Sequence, residues 1–123
     1  MNKKATRQKA WQFGHLGEII AAWVLRLKGY SILETRFRLP VGEIDLIARK
    51  RNLLVFAEVK TRKRRDMEEQ PLSPKQQRRI GRAALAYMQR HPETRGFEMR
   101  FDFFLIRPWC TPLHIKDAWR PRV

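Results

Sequence analysis

Residues 42–61 read GEIDLIARKRNLLVFAEVKT, and this stretch contains two segments with the patterns of β-strands. Residues Glu43–Arg49 alternate along the segment, and Leu53–Lys60 is rich in strong β-formers. Only Lys50–Asn52 separates them, which suits a tight antiparallel connection. The stretch therefore predicts a β-hairpin.

The sequence on either side of this hairpin predicts two helices and further strands. Apolar residues recur at helical spacing from about Lys9 to Lys28, and Gly29 supplies the stop. Ser73 predicts the N-cap of a second helix, with Gln76 as its capping-box partner and an end near Arg90. Further extended segments are predicted at Tyr30–Arg38 and Glu98–Arg107, and a short tail segment, Leu113–Trp119, closes the chain.

The order helix, three strands, helix and strand predicts an α/β fold with helices layered on a mixed sheet. A chain of 123 residues suits one domain spanning 1–123, and a hydrophobic fraction of 43% excludes a wholly disordered chain. Residues 1–8 are expected to form a flexible basic N-terminal segment.

The net charge is strongly positive, with 27 Lys and Arg against 12 Asp and Glu, which gives +15. Such a charge suits a polyanionic partner that removes the repulsion on binding, and nucleic acid is the leading candidate. Charge alone leaves open a merely soluble basic surface or a membrane-surface protein.

Cysteine content and hydropathy bear on the compartment. The single cysteine, Cys110, allows no intramolecular disulfide and suits a reducing compartment. The longest apolar run, Ile19–Leu25, is far shorter than the roughly 20 residues of a membrane span. We therefore expect a cytoplasmic protein without a membrane partner.

The candidate catalytic residues lie on the predicted hairpin. Side chains alternate along a strand, so Asp45 shares a face with Glu43, and Glu58 shares one with Lys60. If the hairpin loop has an even number of residues, these faces coincide and the two acids converge. Paired carboxylates suit Mg²⁺ or Mn²⁺, and Lys60 could orient water or offset phosphate charge. The alternative for each residue alone is a solvated acid or a weak cross-strand ion pair.

Glu18, on the first helix, is the third candidate metal ligand. Its helical neighbours Gly14, Ala21 and Ala22 are small, which lets another backbone or a substrate come close. The alternative is an ordinary exposed helical glutamate.

Two basic segments are candidate nucleic-acid contacts. The second helix carries four basic residues on one face, which suits backbone phosphates. A flexible basic loop is expected directly after Lys60, and a solvated charged run is its alternative. The contacts proposed on the helix are Lys75, Arg78, Arg79 and Arg82, and those on the loop are Arg62, Lys63, Arg64 and Arg65.

Two residues near the C-terminus have other interpretations. Asp102 alternates away from Phe101 and Phe103, which favours an ion pair with an arginine over a role as a ligand. Trp109 could stack on a base, although a core or interface tryptophan is the commoner role.

The motifs together resemble the YraN family of small bacterial proteins across nearly the whole chain. The matching segments, in order, are Gly14-x-x-Gly17-Glu18, Gly29-Tyr30-x-Ile32-Leu33, Gly42–Ile47, Phe56–Arg62, the Lys75–Tyr87 helix and Arg100-Phe101-Asp102. That family is similar to the restriction-endonuclease-like superfamily and especially to archaeal Holliday-junction resolvases.

The resemblance implies a helix-strand-strand-strand-helix-strand core that holds metal on acidic residues. It implies that Glu18 is the helix acid, Asp45 the central ligand, Glu58 the second strand ligand and Lys60 the catalytic lysine. Glu43 is expected to support these ligands. Resolvases similar to this family act as two-fold dimers, so a homodimer is left open.

The leading hypothesis is a Mg²⁺-dependent or Mn²⁺-dependent endonuclease that hydrolyses DNA, including branched repair or recombination intermediates. The alternative is a nucleic-acid-binding protein that retains the fold without the chemistry. A protein-interaction adaptor on a basic scaffold is a third class.

Overall fold

The computed structural model describes the backbone of residues 3–62 and 72–120, and the side chains of residues 15–62 and 72–120. Its elements follow the predicted order, with an additional fifth strand in the C-terminal tail segment, and confirm the α/β fold. They are α1 (Lys3–Leu27), β1 (Ser31–Leu39), β2 (Gly42–Lys50), β3 (Leu53–Thr61), α2 (Pro74–Arg90), a short 3₁₀ helix (Pro92–Thr94), β4 (Glu98–Ile106) and β5 (Leu113–Trp119).

The described strands form one five-stranded mixed sheet in the order β1-β2-β3-β4-β5. Neighbours pair antiparallel except β3 and β4, which run parallel because α2 carries the chain back across the sheet. Lys60 pairs with Leu105 and Thr61 with Ile106. The carboxyl ends of β3 and β4 therefore lie side by side at one end of the strands.

The β2–β3 hairpin has a two-residue loop, Arg51 and Asn52, one residue shorter than predicted. Arg51 takes the left-handed conformation that tight hairpin turns require, with φ of 55°. The loop is even-numbered, and the pairs run from Lys50 with Leu53 to Leu46 with Ala57. The register on which convergence of the acids depends is therefore the observed one.

Helix α2 covers one face of the sheet and begins at the predicted cap. The Ser73 hydroxyl accepts a hydrogen bond from the Gln76 N–H, and the Gln76 side chain accepts one from the Ser73 N–H. This reciprocal pair satisfies backbone donors that a helix start leaves free. The helix buries Ile80, Ala83 and Tyr87 against the sheet.

Helix α1 covers the opposite face and packs through small residues. It begins six residues before the predicted start. Ala21, Ala22 and Leu25 are buried, whereas Trp23 and Leu27 are 56% and 83% exposed. Only some of the bulky side chains whose spacing predicted the helix therefore face the core. In the described part of the chain, no helix is long and apolar enough to cross a membrane.

Gly42 brings α2 close to the hairpin. A Cβ on Gly42 would lie 1.9 Å from the backbone oxygen of Arg79, so the start of β2 touches the helix backbone directly. We expect Gly42→Ala to destabilise the fold by about 1–3 kcal/mol, because the helix must move away from the strand. Urea unfolding measures this effect. The neighbouring Val41→Ala, at an exposed position, should change stability by less than about 0.5 kcal/mol.

A buried ionic network fastens β5 to the sheet. The fully buried Asp102 carboxylate accepts both prongs of the Arg100 guanidinium at 2.8 Å, and it contacts His114 Nε2 at 2.7 Å. It also accepts the Asp117 N–H at 3.0 Å. Arg100 extends the network to the Tyr30 hydroxyl at 2.8 Å. The predicted pairing of Asp102 with an arginine is confirmed.

This network predicts a pH dependence of stability. Burial would raise the pKa of Asp102, but hydrogen bonds from His114, Arg100 and the Asp117 N–H together lower it from 3.8 to about 2. The carboxylate therefore stabilises the fold above about pH 4, and about 2 kcal/mol is lost as the pH falls towards 2. Urea unfolding of wild type and Asp102→Asn between these pH values tests this. Equal pH slopes in both proteins would contradict it.

Candidate active site

The β2–β3 hairpin brings Asp45 and Glu58 together beyond the last backbone pair. The Val59 N–H donates to Asp45 Oδ2 at 2.8 Å, so a side chain takes the place of a backbone acceptor at this point. The carboxyl groups of Asp45 and Glu58 lie close enough for each to shift the pKa of the other. The two acids converge, as the strand pattern predicted.

The local environment disfavours two negative charges on this pair. Burial, and then the charge of Asp45, raise the pKa of Glu58 to about 8, against the opposing effect of Lys60. Burial also raises the pKa of Asp45, and the charge of Glu18 adds to it, although the Val59 hydrogen bond opposes the shift. A cation bound beside both carboxylates would relieve this cost.

Lys60 lies next to the carboxylate pair, on the same strand as Glu58. Its Nζ is 3.2 Å from Glu58 Oε1, and both side chains are largely buried, with 27% and 14% of their surface exposed. The ammonium is therefore held at the pair but can still contact solvent. One lysine cannot neutralise two carboxylates.

A cleft of about 80 Å³ opens beside these residues, with room for several water molecules. Glu58 and Lys60 line it from β3, Glu43 lines it from β2, and Gln76, Arg79 and Ile80 line it from α2. The exposed Glu43 also forms a loose ion pair with Arg38, at 3.8 Å. Helix α2 thus places polar and basic groups directly across the cleft from the acids.

Glu18 forms an ion pair with an arginine. Its carboxylate accepts Arg36 Nε at 2.8 Å, and the Arg36 guanidinium also contacts His15. Glu18 influences Asp45 through its charge. Among the described residues, no group of three or more His, Cys, Asp or Glu side chains is placed to hold a metal ion. The structure therefore brings together Asp45, Glu58 and Lys60, and leaves Glu18 in an adjoining pocket.

Comparison with known proteins then places the chain among its relatives. The model of the Uncharacterised protein family UPF0102 matches residues 17–106. The chain belongs to the UPF0102 family. A UPF0102 protein of Rhodopseudomonas palustris (strain BisB18) is 48% identical over 113 residues, covering 92% of this chain and 84% of the relative. One from Parvibaculum lavamentivorans is 43% identical over 117 residues, covering 95% and 88%.

These matches confirm the resemblance to the YraN family, another name for UPF0102. The matched segment includes Glu18, Asp45, Glu58 and Lys60 and both basic segments, whereas the loop that carries Trp109 lies beyond it. The roles assigned to the matched residues remain predictions.

The basic residues predicted to contact nucleic acid fall into three groups in this UPF0102 protein. On α2, Arg79 lines the cleft, and Lys75, Arg78 and Arg82 are exposed. Arg62 continues from β3, and its N–H donates to the Ile106 oxygen at 2.9 Å. Lys63, Arg64 and Arg65 lie outside the described residues.

Sequence reasoning missed Arg36. This residue takes a left-handed conformation, with φ of 53°, at a position where β1 runs past α1, and it is the ion-pair partner of Glu18. Its type gives no signal in a chain with 27 basic residues. A left-handed residue in a strand is usually signalled by glycine, and no glycine stands at or next to position 36.

Proposed function

We propose that this UPF0102 protein is a metal-dependent endonuclease that hydrolyses phosphodiester bonds in DNA, branched repair or recombination intermediates included. The observation that carries the proposal is the buried Asp45–Glu58 pair with Lys60 at 3.2 Å from Glu58. The basic face of α2 borders the same cleft and supports a polyanionic substrate.

The acid pair fits Mg²⁺ or Mn²⁺. Both ligands are carboxylates, and burial makes the pair unfavourable without a compensating cation. Mg²⁺ characteristically uses one or two protein carboxylates and completes its shell with water and substrate phosphate. Two carboxylates are therefore sufficient, and Glu18 could join them only by giving up Arg36. Bound there, the ion would activate water and stabilise negative charge on the phosphate.

The protein side chains would divide the remaining work. Water attacks phosphorus, a P–O bond of the backbone breaks, and the products are a phosphomonoester and a hydroxyl group. Lys60, held by Glu58, can donate a hydrogen bond to the phosphate while its charge increases. Arg79, across the cleft, is placed to hold a second phosphate oxygen or a neighbouring phosphate.

A cleavage assay tests this function directly. Duplex, single-stranded and four-way-junction DNA, with RNA for comparison, are incubated with Mg²⁺, Mn²⁺ or EDTA. Cleavage should require the metal and disappear in Lys60→Ala, and should be unchanged in Lys116→Ala, an exposed lysine on β5. Activity that survives Lys60→Ala would mean that the chemistry occurs elsewhere or in a contaminant.

A second candidate function is nucleic-acid binding without catalysis. It is favoured by the charge of +15 and by the ion pair that Glu18 forms with Arg36. It predicts salt-sensitive binding that needs no divalent ion. Calorimetry with Mn²⁺ separates the two functions, because metal binding that depends on Asp45 and Glu58 supports only the nuclease.

Both functions predict that the exposed face of α2 contacts phosphates. Replacing Lys75, Arg78 and Arg82 together with alanine should reduce the slope of log affinity against log salt by about 3, because each lost phosphate contact removes about one unit. A triple variant of Arg51, Arg95 and Lys116, all exposed and outside α2, removes the same charge elsewhere. An equal loss of slope in that control would show that α2 is not the contact face.

A further inference from the structure

The loop between β4 and β5 displays a tryptophan to solvent. Trp109 is 91% exposed, the highest value among the exposed large apolar residues of the described chain. Tryptophan side chains are mostly buried in folded proteins, because burying the large ring takes more apolar surface out of water than burying most other side chains. The core role is therefore excluded, and the fold does not explain the ring.

The backbone holds this ring in an unusual way. Trp109 has φ of 60°, in the left-handed region that bulky side chains rarely adopt. Pro108 precedes it and Pro112 follows, and each proline fixes its own φ. Packing of the ring cannot offset the conformational cost, because the ring is almost fully in solvent. The loop thus presents a large flat apolar surface from a restricted backbone.

The loop leaves the sheet at the same end of the strands as the candidate active site. Thr61 pairs with Ile106 in parallel, and the Arg62 N–H donates to the Ile106 oxygen at 2.9 Å. Trp109 is three residues beyond Ile106, so its Cα lies within about 11 Å of that residue. The loop that carries Trp109 therefore begins next to the end of β3, where Thr61 and Arg62 follow Lys60.

We propose that Trp109 is a stacking platform for an unpaired nucleobase, which deepens the proposed nuclease function and rests on it. A single exposed ring fits this ligand, with Arg107 two residues before it and Arg62 hydrogen-bonded to Ile106 at the start of the loop, because aromatic rings stack on any base while arginine holds the phosphates. A protein partner would require a wider apolar patch, and the residues beside the ring are proline, half-buried Cys110 and polar Thr111. The substrate class this selects is DNA with a single-stranded stretch or an opened base pair next to the cleavage point.

Binding in EDTA, with cleavage suppressed, tests the platform. Wild type, Trp109→Ala and Trp109→Phe are titrated with a fluorescein-labelled single-stranded oligonucleotide and with the matching duplex. Trp109→Ala should bind the single strand about tenfold more weakly or worse, Trp109→Phe should lose less, and duplex affinity should stay within about twofold. The matched control is Trp23→Ala, a half-exposed tryptophan on α1, which should bind both ligands as wild type does.

Each outcome bears on the proposal. Equal single-strand affinity in wild type and Trp109→Ala would overturn it, as would an equal loss for both ligands. Self-association that Trp109→Ala abolishes, with nucleic-acid affinity unchanged, would assign the ring to a protein contact instead. If Trp109→Ala selectively loses single-strand binding but wild type cleaves no DNA under any condition, the platform would be supported and the nuclease function overturned. Failure of wild type to bind any nucleic acid would overturn both.

Discussion

Asp45→Asn should reduce metal-dependent cleavage by about 10³-fold or more, and Glu58→Gln should do the same. Each change removes a charged oxygen ligand from a pair that together must hold the divalent ion, and with it the stabilisation of charge at the phosphate. Metal affinity, measured by calorimetry with Mn²⁺, should fall by at least about a hundredfold. Thermal stability should not fall, because each variant removes a buried charge from a repulsive pair.

The ion pair between Glu18 and Arg36 predicts that Glu18 contributes less to metal affinity than Asp45 or Glu58 does. Glu18 is already neutralised at 2.8 Å, so Glu18→Gln should weaken metal binding by less than about tenfold. Asp117→Asn, an exposed acid on β5, serves as the matched control and should leave cleavage unchanged. If Glu18→Gln matched Asp45→Asn in metal affinity, the helix acid would be a full ligand. If none of the three variants changed metal affinity, the acid pair would not be the metal site.

Asp102→Ala should destabilise the protein by about 3–5 kcal/mol, the largest stability effect expected of a single substitution here. The carboxylate is fully buried and accepts hydrogen bonds from Arg100, His114 and the Asp117 N–H, so its removal leaves Arg100 with an uncompensated charge. Urea unfolding at neutral pH measures the loss. Asp117→Asn keeps its own backbone donor and suits the left-handed φ of 55° at this position, so it should cost less than about 0.5 kcal/mol. A loss below about 1 kcal/mol in Asp102→Ala would show that the network contributes little.

The sequence predicted the fold well where local patterns determine structure. Ser73 and Gln76 form the expected capping box, because both partners lie within one helical turn. The four predicted strands agree within about one residue, since β-forming residues bounded by turn residues mark the strand ends. The convergence of Asp45 with Glu58 was predicted only for an even-numbered loop, a condition that the observed two-residue turn meets.

The remainder depends on contacts between distant segments. Periodicity located α1 but did not show that its small residues face the sheet, because the close approach of Gly17 to Thr61 is set by the packed partner. The same limit applies to Glu18. Its neighbours on α1 were known, but Arg36 reaches it from β1 through a left-handed residue that no local preference indicates.

The parallel pairing of β3 with β4 also affects how the molecule assembles. The meander β1–β2–β3 forms from contacts close in sequence, whereas β4 can join only after the chain has closed a loop that contains all of α2. A nascent chain that has emerged as far as Thr61 already carries Glu18, Asp45, Glu58 and Lys60, but its last strand is an open edge able to pair with another molecule. During synthesis, the acids therefore emerge before the helix that completes the cleft, and that edge stays unpaired until β4 emerges in the final third of the chain.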